Sequence, residues 1–331
     1  MDALLIAKKL KEFFDSRVLE NLQAEKEIEE LSETLEDFFA KDIPLHSCSG
    51  DIKNPLAIPE GLLPFPRPLP GRVLGVDGGE SQFSHHEGLS LEVVSLAAVY
   101  IDYINSSIKT FVDLQPFEKE LDFPLTLKRF FLELETAISK ANEWRPDILL
   151  LDGSLIPWPL LRLNNEERKK ELLRWKELLG KLPAKTKIFG FISDSNASEL
   201  ANTLQRLLSN KSATKVLDKH LLKRFLTKQP QYRESLFIFK LDFGECLLSE
   251  ISAAYFLFGN EVCRLEWFGR ERDFSIILDL LNKGKGYPSV LKEAHKLASL
   301  SQKDREVILG FANSFRRKIA NLSLKGLQKR L

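Results

Sequence analysis

Apolar residues recur at helical spacing in the first part of the chain. Over residues 1–41 they follow a helical period from Leu4 to Leu35, and acidic residues fill many of the positions between them over residues 25–37. This spacing predicts one long helix or two shorter ones with an apolar face. The next stretch, residues 42–71, contains seven prolines and no periodicity. It is therefore predicted to be an extended connector.

A compact α/β unit is predicted after the connector. Three apolar runs joined by short links predict an antiparallel meander, and two further apolar runs alternate with amphipathic helices, as parallel strands do. The elements in chain order are strands at 73–79, 91–102 and 108–113, a helix at 124–144, a strand at 147–152, a helix at 165–179 and a strand at 187–193. This order matches the ribonuclease H-like fold, and the analogy concerns fold and not chemistry.

The predicted fold class is therefore α/β, with a ribonuclease H-like mixed sheet. It consists of a three-strand antiparallel meander plus two parallel strands, flanking helices and additional helical segments at both ends of the chain. Beyond the fifth strand come predicted helices at 197–208 and 213–227 and strand-like runs at 236–243, 253–258 and 261–267. The predicted division of the chain is a helical arm with its connector over 1–70, a main domain over 71–300 and a C-terminal helix over 301–331.

Composition narrows the class of protein. The 331 residues are 44% hydrophobic and 29% charged, which supports a large core and excludes a disordered or fibrous chain. The 48 basic and 47 acidic residues leave a net charge of +1, so a polyanionic partner must bind to a local patch. We expect a cytoplasmic protein with reduced cysteines and no membrane partner, because no apolar stretch reaches roughly 20 residues and no signal or CxxC pattern occurs.

Two aspartates end apolar strands immediately before a glycine. Asp77 stands in Val-Asp-Gly-Gly, and Asp152 stands in Leu-Asp-Gly-Ser-Leu. Carboxylates there would face the crevice where open α/β sheets bind ligands, although each aspartate alone is also typical of an Asx turn. The helix between them carries Glu133 and Glu135, which project about 200° apart, so only one can face the sheet. Three converging carboxylates would bind hard divalent cations, and two such ions can promote phosphodiester cleavage.

A histidine and a tyrosine near the far end are further candidates. A Gly-Lys-Gly-Tyr-Pro segment containing Tyr287 precedes a predicted helix that carries His295. A histidine can ligate a metal or transfer a proton near neutral pH. By itself, a helix histidine is more often a surface or capping residue, and a tyrosine beside a proline turn more often packs.

Taken together, the motifs resemble those of the NurA nuclease family. The resemblance rests on Val-Asp-Gly-Gly at Asp77, Leu-Asp-Gly-Ser-Leu at Asp152, Cys-Arg-Leu-Glu ending at Glu266 and Gly-Tyr-Pro-x5-Ala-His ending at His295, in this order over roughly residues 70–300. It implies a manganese- or magnesium-dependent DNA nuclease, with two ions and with exonuclease and single-strand endonuclease activity. It also implies a homodimer that works with a HerA-type hexameric ATPase in DNA end resection and repair.

The resemblance also assigns site residues. The expected catalytic residues are Asp77, Glu133, Asp152, Tyr287 and His295. All of these except the tyrosine would hold metal, and Glu135 is the alternative if the helix register differs. Asp194 departs from the family pattern, and we interpret it either as an extra metal-facing carboxylate or, preferably, as a helix cap.

A basic stripe is the predicted contact for DNA. Its members recur every four positions and end with an adjacent arginine: Lys211, Lys215, Lys219, Lys223 and Arg224. Such a stripe suits a phosphate backbone, and it is equally typical of a solvated helix face.

Two other functions stay open at this point. One is a weakly active or non-catalytic structural partner of a translocase, which the complete set of acidic residues argues against. The other is an actin-like ATPase, which also carries an Asp-Gly turn on its first strand. That class needs a second such turn in a duplicated half, and no second meander of comparable clarity follows.

Overall fold

The computed structural model describes residues 22–37, 56–84, 90–118, 123–208, 216–243, 251–269 and 273–311, together with residues 9, 20 and 271. Within these residues the elements are α1 (22–37), β1 (Leu56–Pro64), β2 (Arg72–Ser84), β3 (Ser90–Asp102), β4 (Ser107–Glu118), α2 (Leu125–Trp144), β5 (Ile148–Asp152), α3 (Asn165–Leu179), β6 (Lys187–Ile192), α4 (Glu199–Leu207), α5 (Asp218–Lys228), β7 (Ser235–Asp242), β8 (Ile251–Phe258), β9 (Glu261–Phe268), α6 (Ser275–Gly284), α7 (Ser289–Ala298) and α8 (302–311).

The described strands form a nine-stranded mixed sheet in the order β1-β7-β8-β9-β6-β5-β2-β3-β4. β5 pairs in parallel with β2 and with β6, and the other neighbours pair antiparallel. The predicted α/β fold, with its antiparallel meander and its two parallel strands, is confirmed. The strands that follow α5 extend this sheet on the β6 side.

Helices cover both faces of the sheet. Leu149 and Leu151 of β5 belong to the core that α2 and α3 cover, whereas Ile148 and Leu150 belong to the core that α6 and α7 cover. A strand buried on both faces is apolar at almost every position. This explains why four consecutive apolar residues precede Asp152 in β5.

The edge strand β1 was not expected from the sequence. Residues 56–64, inside the predicted connector, pair antiparallel with β7, and the register shifts between Pro59 and Gly61. Proline lacks a backbone N–H and is tolerated at a sheet edge or a bulge. The sheet therefore begins before the predicted main domain, and the three-part division of the chain stays a prediction.

The helical predictions differ from the structure mainly after β6. The N-terminal prediction agrees with α1 over the described residues 22–37, where Leu31 and Leu35 are buried in the core. The helix predicted at 213–227 begins only at Asp218, and residues 209–215 lie outside the described part of the chain.

In the described residues, no helix combines the length and apolarity needed to cross a bilayer.

Candidate metal centre

Asp77 lies on the face of β2 that α7 covers. Leu74 and Val76 belong to the core on the opposite face and Val73 to the core beneath α7, so strand alternation places Asp77 on the α7 face. The residue is 5% exposed. Its Oδ1 accepts the Gly78 N–H at 2.8 Å. Asp77 is thus held in place and buried.

Two glycines of β2 let α7 approach the strand. A Cβ at Gly75 would lie 3.0 Å from the Val290 backbone, and one at Gly79 would lie 3.0 Å from the Ala298 carbonyl oxygen. The helix therefore packs directly along β2 on this side. As a result His295 Nδ1 lies 2.7 Å from Asp77 Oδ2.

Asp152 is the last residue of β5 and points to the same place. Its Oδ2 accepts a hydrogen bond from the Tyr287 hydroxyl at 2.5 Å and lies 3.9 Å from His295 Nδ1. Gly153 then turns the chain with φ of +126°, a conformation that favours glycine. The Tyr287 ring packs edge-on against Phe191, with ring centroids 5.5 Å apart.

Asp77, Asp152 and His295 form one compact donor set. Each offers a ligand atom, and these atoms lie within 4.8 Å of one another. The His295 side chain is 66% exposed, so the cluster is reachable from solvent. Two carboxylate oxygens and one imidazole nitrogen suit a divalent cation such as Mn²⁺ or Mg²⁺.

Glu133 approaches from α2, on the other side of the sheet. A Cβ at Gly78 would lie 2.6 Å from Glu133 Oε1, so the carboxyl group fits over a position without a side chain. This buried oxygen accepts no hydrogen bond from any described residue. Burial raises the pKa of Glu133 to about 8, with Arg129 opposing the shift and Asp77 and Asp152 adding to it. A buried carboxyl oxygen that lacks a hydrogen-bond donor and lies near two aspartates would be satisfied by a bound cation.

Glu135 faces away from the centre. Its Oε1 lies 2.8 Å from Arg174 Nη2 on α3. The register of α2 therefore brings Glu133, and not the alternative Glu135, to Asp77 and Asp152. Glu133 lies outside the tight three-residue set, and its role as a metal ligand stays a prediction.

Arg129 is a site residue that the sequence analysis missed. Its Nη1 donates to the Gly78 carbonyl oxygen at 2.9 Å and lies 3.6 Å from Glu133 Oε1. Its Nε lies 3.4 Å from Glu80 Oε2. The i,i+4 spacing of Arg129 and Glu133 was the available signal. Arg129 is the cation nearest to the buried Glu133 carboxyl group among the described contacts.

Burial dominates the electrostatics of the two aspartates. It raises the pKa of Asp77, against the effect of His295, and raises the pKa of Asp152, against the Tyr287 hydrogen bond. Burial and the neighbouring Asp152 also raise the pKa of Tyr287, so its hydroxyl stays protonated and donates. Crowded, desolvated carboxyl groups of this kind are stabilised by an added cation.

The predicted basic stripe is only partly described. Lys211 and Lys215 lie outside the described residues. Lys219 pairs with Asp194, and Arg224 Nε donates to Glu29 Oε2 of α1 at 2.6 Å. Lys223 is exposed. The acidic face of α1 therefore already neutralises part of the stripe.

Both interpretations of Asp194 are wrong. Its side chain is 76% exposed, pairs with Lys219 and is not among the three residues whose ligand atoms cluster in the described part of the chain. Among the described contacts it does not cap α4, whose N-terminus is capped by Asp218; the Asp218 carboxylate accepts the N–H groups of Leu200 and Ala201 at 3.1 and 2.9 Å. The capping group comes from a distant part of the chain, which local sequence cannot reveal.

The fold and the site define a mixed α/β protein with the predicted ribonuclease H-like strand arrangement and an acidic, histidine-containing cluster at the β2–β5 junction. Residues 71–300 match the model of the NurA domain, and the chain belongs to the NurA family. A comparison with curated proteins gave no match.

The chain is similar to a number of solved structures, among them two of NurA and one of endonuclease V. A crystal structure of NurA is 13% identical, with a TM-score of 0.50 over 96% of this chain and 98% of that one. A NurA bound to dAMP and manganese is 15% identical, with a TM-score of 0.45 over 88% and 94%. Endonuclease V of Ciona intestinalis, in complex with an inosine-containing DNA, is 12% identical, with a TM-score of 0.38 over 72% and 87%. At 13% identity and a TM-score of 0.50, the similarity to the first NurA structure shows a shared fold only. Membership of the NurA family and the acidic cluster together favour a nuclease.

Proposed function

We propose that this protein is a metal-dependent DNA nuclease that hydrolyses phosphodiester bonds. The observation that carries the proposal is the donor set of Asp77, Asp152 and His295, with ligand atoms within 4.8 Å of one another in a NurA domain. Oxygen ligands with one imidazole suit hard divalent cations. The solvent-exposed histidine marks the side from which a phosphate could enter.

The residues present fit a divalent metal. Asp77, Asp152 and His295 would hold it, and Glu133, whose buried Oε1 lacks a hydrogen-bond partner among the described residues, would complete the site. We propose that the metal is Mn²⁺ or Mg²⁺ and that two ions bind during cleavage. When bound, such cations would neutralise phosphate charge and make water a stronger nucleophile.

Residues of the chain itself would hold the two metal-binding carboxylates in place. Gly78 N–H fixes Asp77 Oδ1, and the Tyr287 hydroxyl fixes Asp152 Oδ2, so both carboxylates keep one orientation. His295 reaches from its contact with Asp77 to the surface, so as a metal ligand it would stand on the side from which a phosphate could enter. Tyr287 keeps its own proton throughout, because its pKa is raised by burial and by Asp152.

The family resemblance also supports a proposal about the biological setting. We propose exonuclease and single-strand endonuclease activity, a homodimer, and action with a HerA-type hexameric ATPase in DNA end resection and repair. Light scattering of the purified protein tests the dimer. Co-purification with such an ATPase tests the partnership.

A cleavage assay tests the proposed activity. Labelled linear single- and double-stranded DNA is incubated with the protein in Mn²⁺, Mg²⁺ or EDTA, beside Asp77→Asn, Asp152→Asn and Glu135→Gln. We expect metal-dependent cleavage that both aspartate variants lose and that the glutamine variant keeps, since Glu135 pairs with Arg174 away from the centre. Cleavage by neither wild type nor control, with or without the ATPase, would favour the alternative of a non-catalytic structural partner.

A further inference from the structure

A buried carboxylate on β9 holds the turn that follows Asp152. Glu266 is 0% exposed. Its Oε2 accepts the Ser154 hydroxyl at 2.6 Å and the Leu155 N–H at 2.9 Å. The Ser154 oxygen in turn accepts the Ile156 N–H at 3.0 Å. The turn is therefore fastened by a side chain that lies more than a hundred positions further along the chain.

A glycine on β6 makes this contact possible. Gly190 pairs with Glu266 across the β6–β9 ladder, so their side-chain positions share one face of the sheet. A Cβ at Gly190 would lie 2.5 Å from the Gly153 carbonyl oxygen and 2.9 Å from Leu155 N. Because Gly190 has no side chain, the turn rests directly on β6 and within reach of Glu266.

Arg264 fixes the orientation of Glu266. It is 1% exposed, and its Nη2 lies 2.7 Å from Glu266 Oε1. The same guanidinium donates to both carboxylate oxygens of Glu199, at 2.9 and 3.2 Å. A guanidinium shared by two buried carboxylates leaves Glu266 little freedom to turn, since either carboxylate without its cation would be costly.

Stability alone is a poor explanation for this arrangement. Buried ion pairs are often no more stabilising than apolar side chains of the same volume. Here the hydrogen bonds of the pair end on the residues two and three positions after Asp152. Groups that orient a metal ligand from behind typically change metal affinity or activity about 10- to 100-fold when removed.

We propose that Glu266, oriented by Arg264, is a positioning residue that aims the Asp152 carboxylate into the metal centre through the Ser154–Leu155 turn. This inference rests on the proposed function, in which Asp152 holds metal. It assigns a role to the Cys-Arg-Leu-Glu segment, which contributes no group to the donor set itself.

The decisive variants change one hydroxyl. Ser154→Ala removes the hydrogen bond to Glu266, Ser154→Thr keeps a hydroxyl, and Thr186→Ala removes a comparable side-chain bond to the Pro146 carbonyl oxygen at the opposite end of β6. Mn²⁺ affinity is measured on the whole protein without DNA by the electron paramagnetic resonance signal of free Mn²⁺. Cleavage gives kcat and the KM for DNA separately.

We expect Ser154→Ala to bind Mn²⁺ about 10-fold more weakly and to lose kcat with the KM for DNA unchanged. Ser154→Thr and Thr186→Ala should behave as wild type in both measurements. Glu266→Gln should lose more than Ser154→Ala, because an amide presents N–H to Arg264 or to the turn. If this variant fails to fold, the Ser154 pair decides the question.

Two results would overturn the inference. One is a Ser154→Ala protein with wild-type Mn²⁺ affinity and kcat, and the other is a Ser154→Thr protein that loses as much as Ser154→Ala. In both cases a cleaving wild type leaves the proposed nuclease function standing. If the wild type neither binds Mn²⁺ nor cleaves DNA, the proposed function fails and the inference falls with it.

Discussion

Glu133 occupies the space that a side chain at Gly78 would fill, since a Cβ there would lie 2.6 Å from Glu133 Oε1. The glycine directly follows Asp77, so one strand position serves both carboxyl groups. Its N–H holds Asp77 Oδ1, and its missing side chain admits Glu133. Gly78, the second residue of the Asp-Gly motif, thus has a steric role and does not turn the chain, because β2 continues to Ser84.

Gly78→Ala should therefore displace Glu133. We expect cleavage to fall by about 10-fold or more, because a metal ligand or its support is moved, while the protein stays folded. Gly310→Ala on α8 is the control, since a Cβ there meets nothing within 4 Å. Metal-dependent cleavage rates and circular dichroism of both variants check this. A fully active Gly78→Ala protein would show that the position of Glu133 is unimportant.

Glu133 should make the metal-free protein less stable as the pH rises. Its pKa is about 8 in the folded protein against an ordinary value of 4.5, so the folded state binds the proton more tightly. The stabilisation is complete below about pH 4.5 and is lost as the pH rises through about 8, with a total on the order of a few kcal/mol.

Urea unfolding in EDTA between about pH 5 and about pH 9 measures this effect. We expect Glu133→Gln to lack the decline that the wild type shows, while Glu135→Gln retains it. The aspartates are unchanged in all three proteins, so the difference between the curves isolates Glu133. Parallel curves for wild type and Glu133→Gln would contradict the expected titration.

Tyr287→Phe should shift the acidic limb of the pH–rate profile. The Tyr287 hydrogen bond lowers the pKa of Asp152, so its removal raises that pKa further and the ionised form is reached only at higher pH. A hydrogen bond to a charged group is worth about 1.5–3 kcal/mol, which corresponds to about one pH unit or more. Phenylalanine keeps the ring packing on Phe191. If the acidic limb of kcat/KM against pH is unchanged in Tyr287→Phe, the Tyr287 hydrogen bond does not control the ionisation of Asp152 during cleavage.

Arg224 and Lys223 should respond differently to substitution. Arg224 pairs with Glu29 at the surface, and a double-mutant cycle between them should give little coupling in urea unfolding. Lys223 is exposed. If Lys223 contacts a phosphate, Lys223→Ala reduces the salt dependence of DNA binding by about one unit of slope, while Arg224→Ala leaves it unchanged. The reverse pattern would assign the DNA contact to Arg224.

Local signals explain which elements were predictable. α3 has the predicted bounds, because Asn164 caps it by accepting the N–H groups of Glu166 and Glu167 and apolar spacing continues to Leu179. β5 was equally clear from its apolar run. β1 was missed because its proline-rich segment becomes a strand only by pairing with β7, far along the chain.

The same distinction holds for the centre. Asp77, Asp152 and His295 stand in motifs, and the fold brings them together. The choice between Glu133 and Glu135 depends on how α2 is rotated against the sheet. The contact of Glu266 with Ser154 depends on the pairing of β9 with β6. Sequence periodicity contains neither piece of information, because both arise from tertiary packing.

The most direct test is an anomalous difference map from crystals grown with Mn²⁺. We expect a manganese peak within coordination distance of Asp77, Asp152 and His295, with Glu133 turned toward it. A second peak nearby would establish the two-ion centre. Ordered density for all these side chains with no manganese between them, or manganese bound only elsewhere, would contradict the assignment of this cluster as the metal centre.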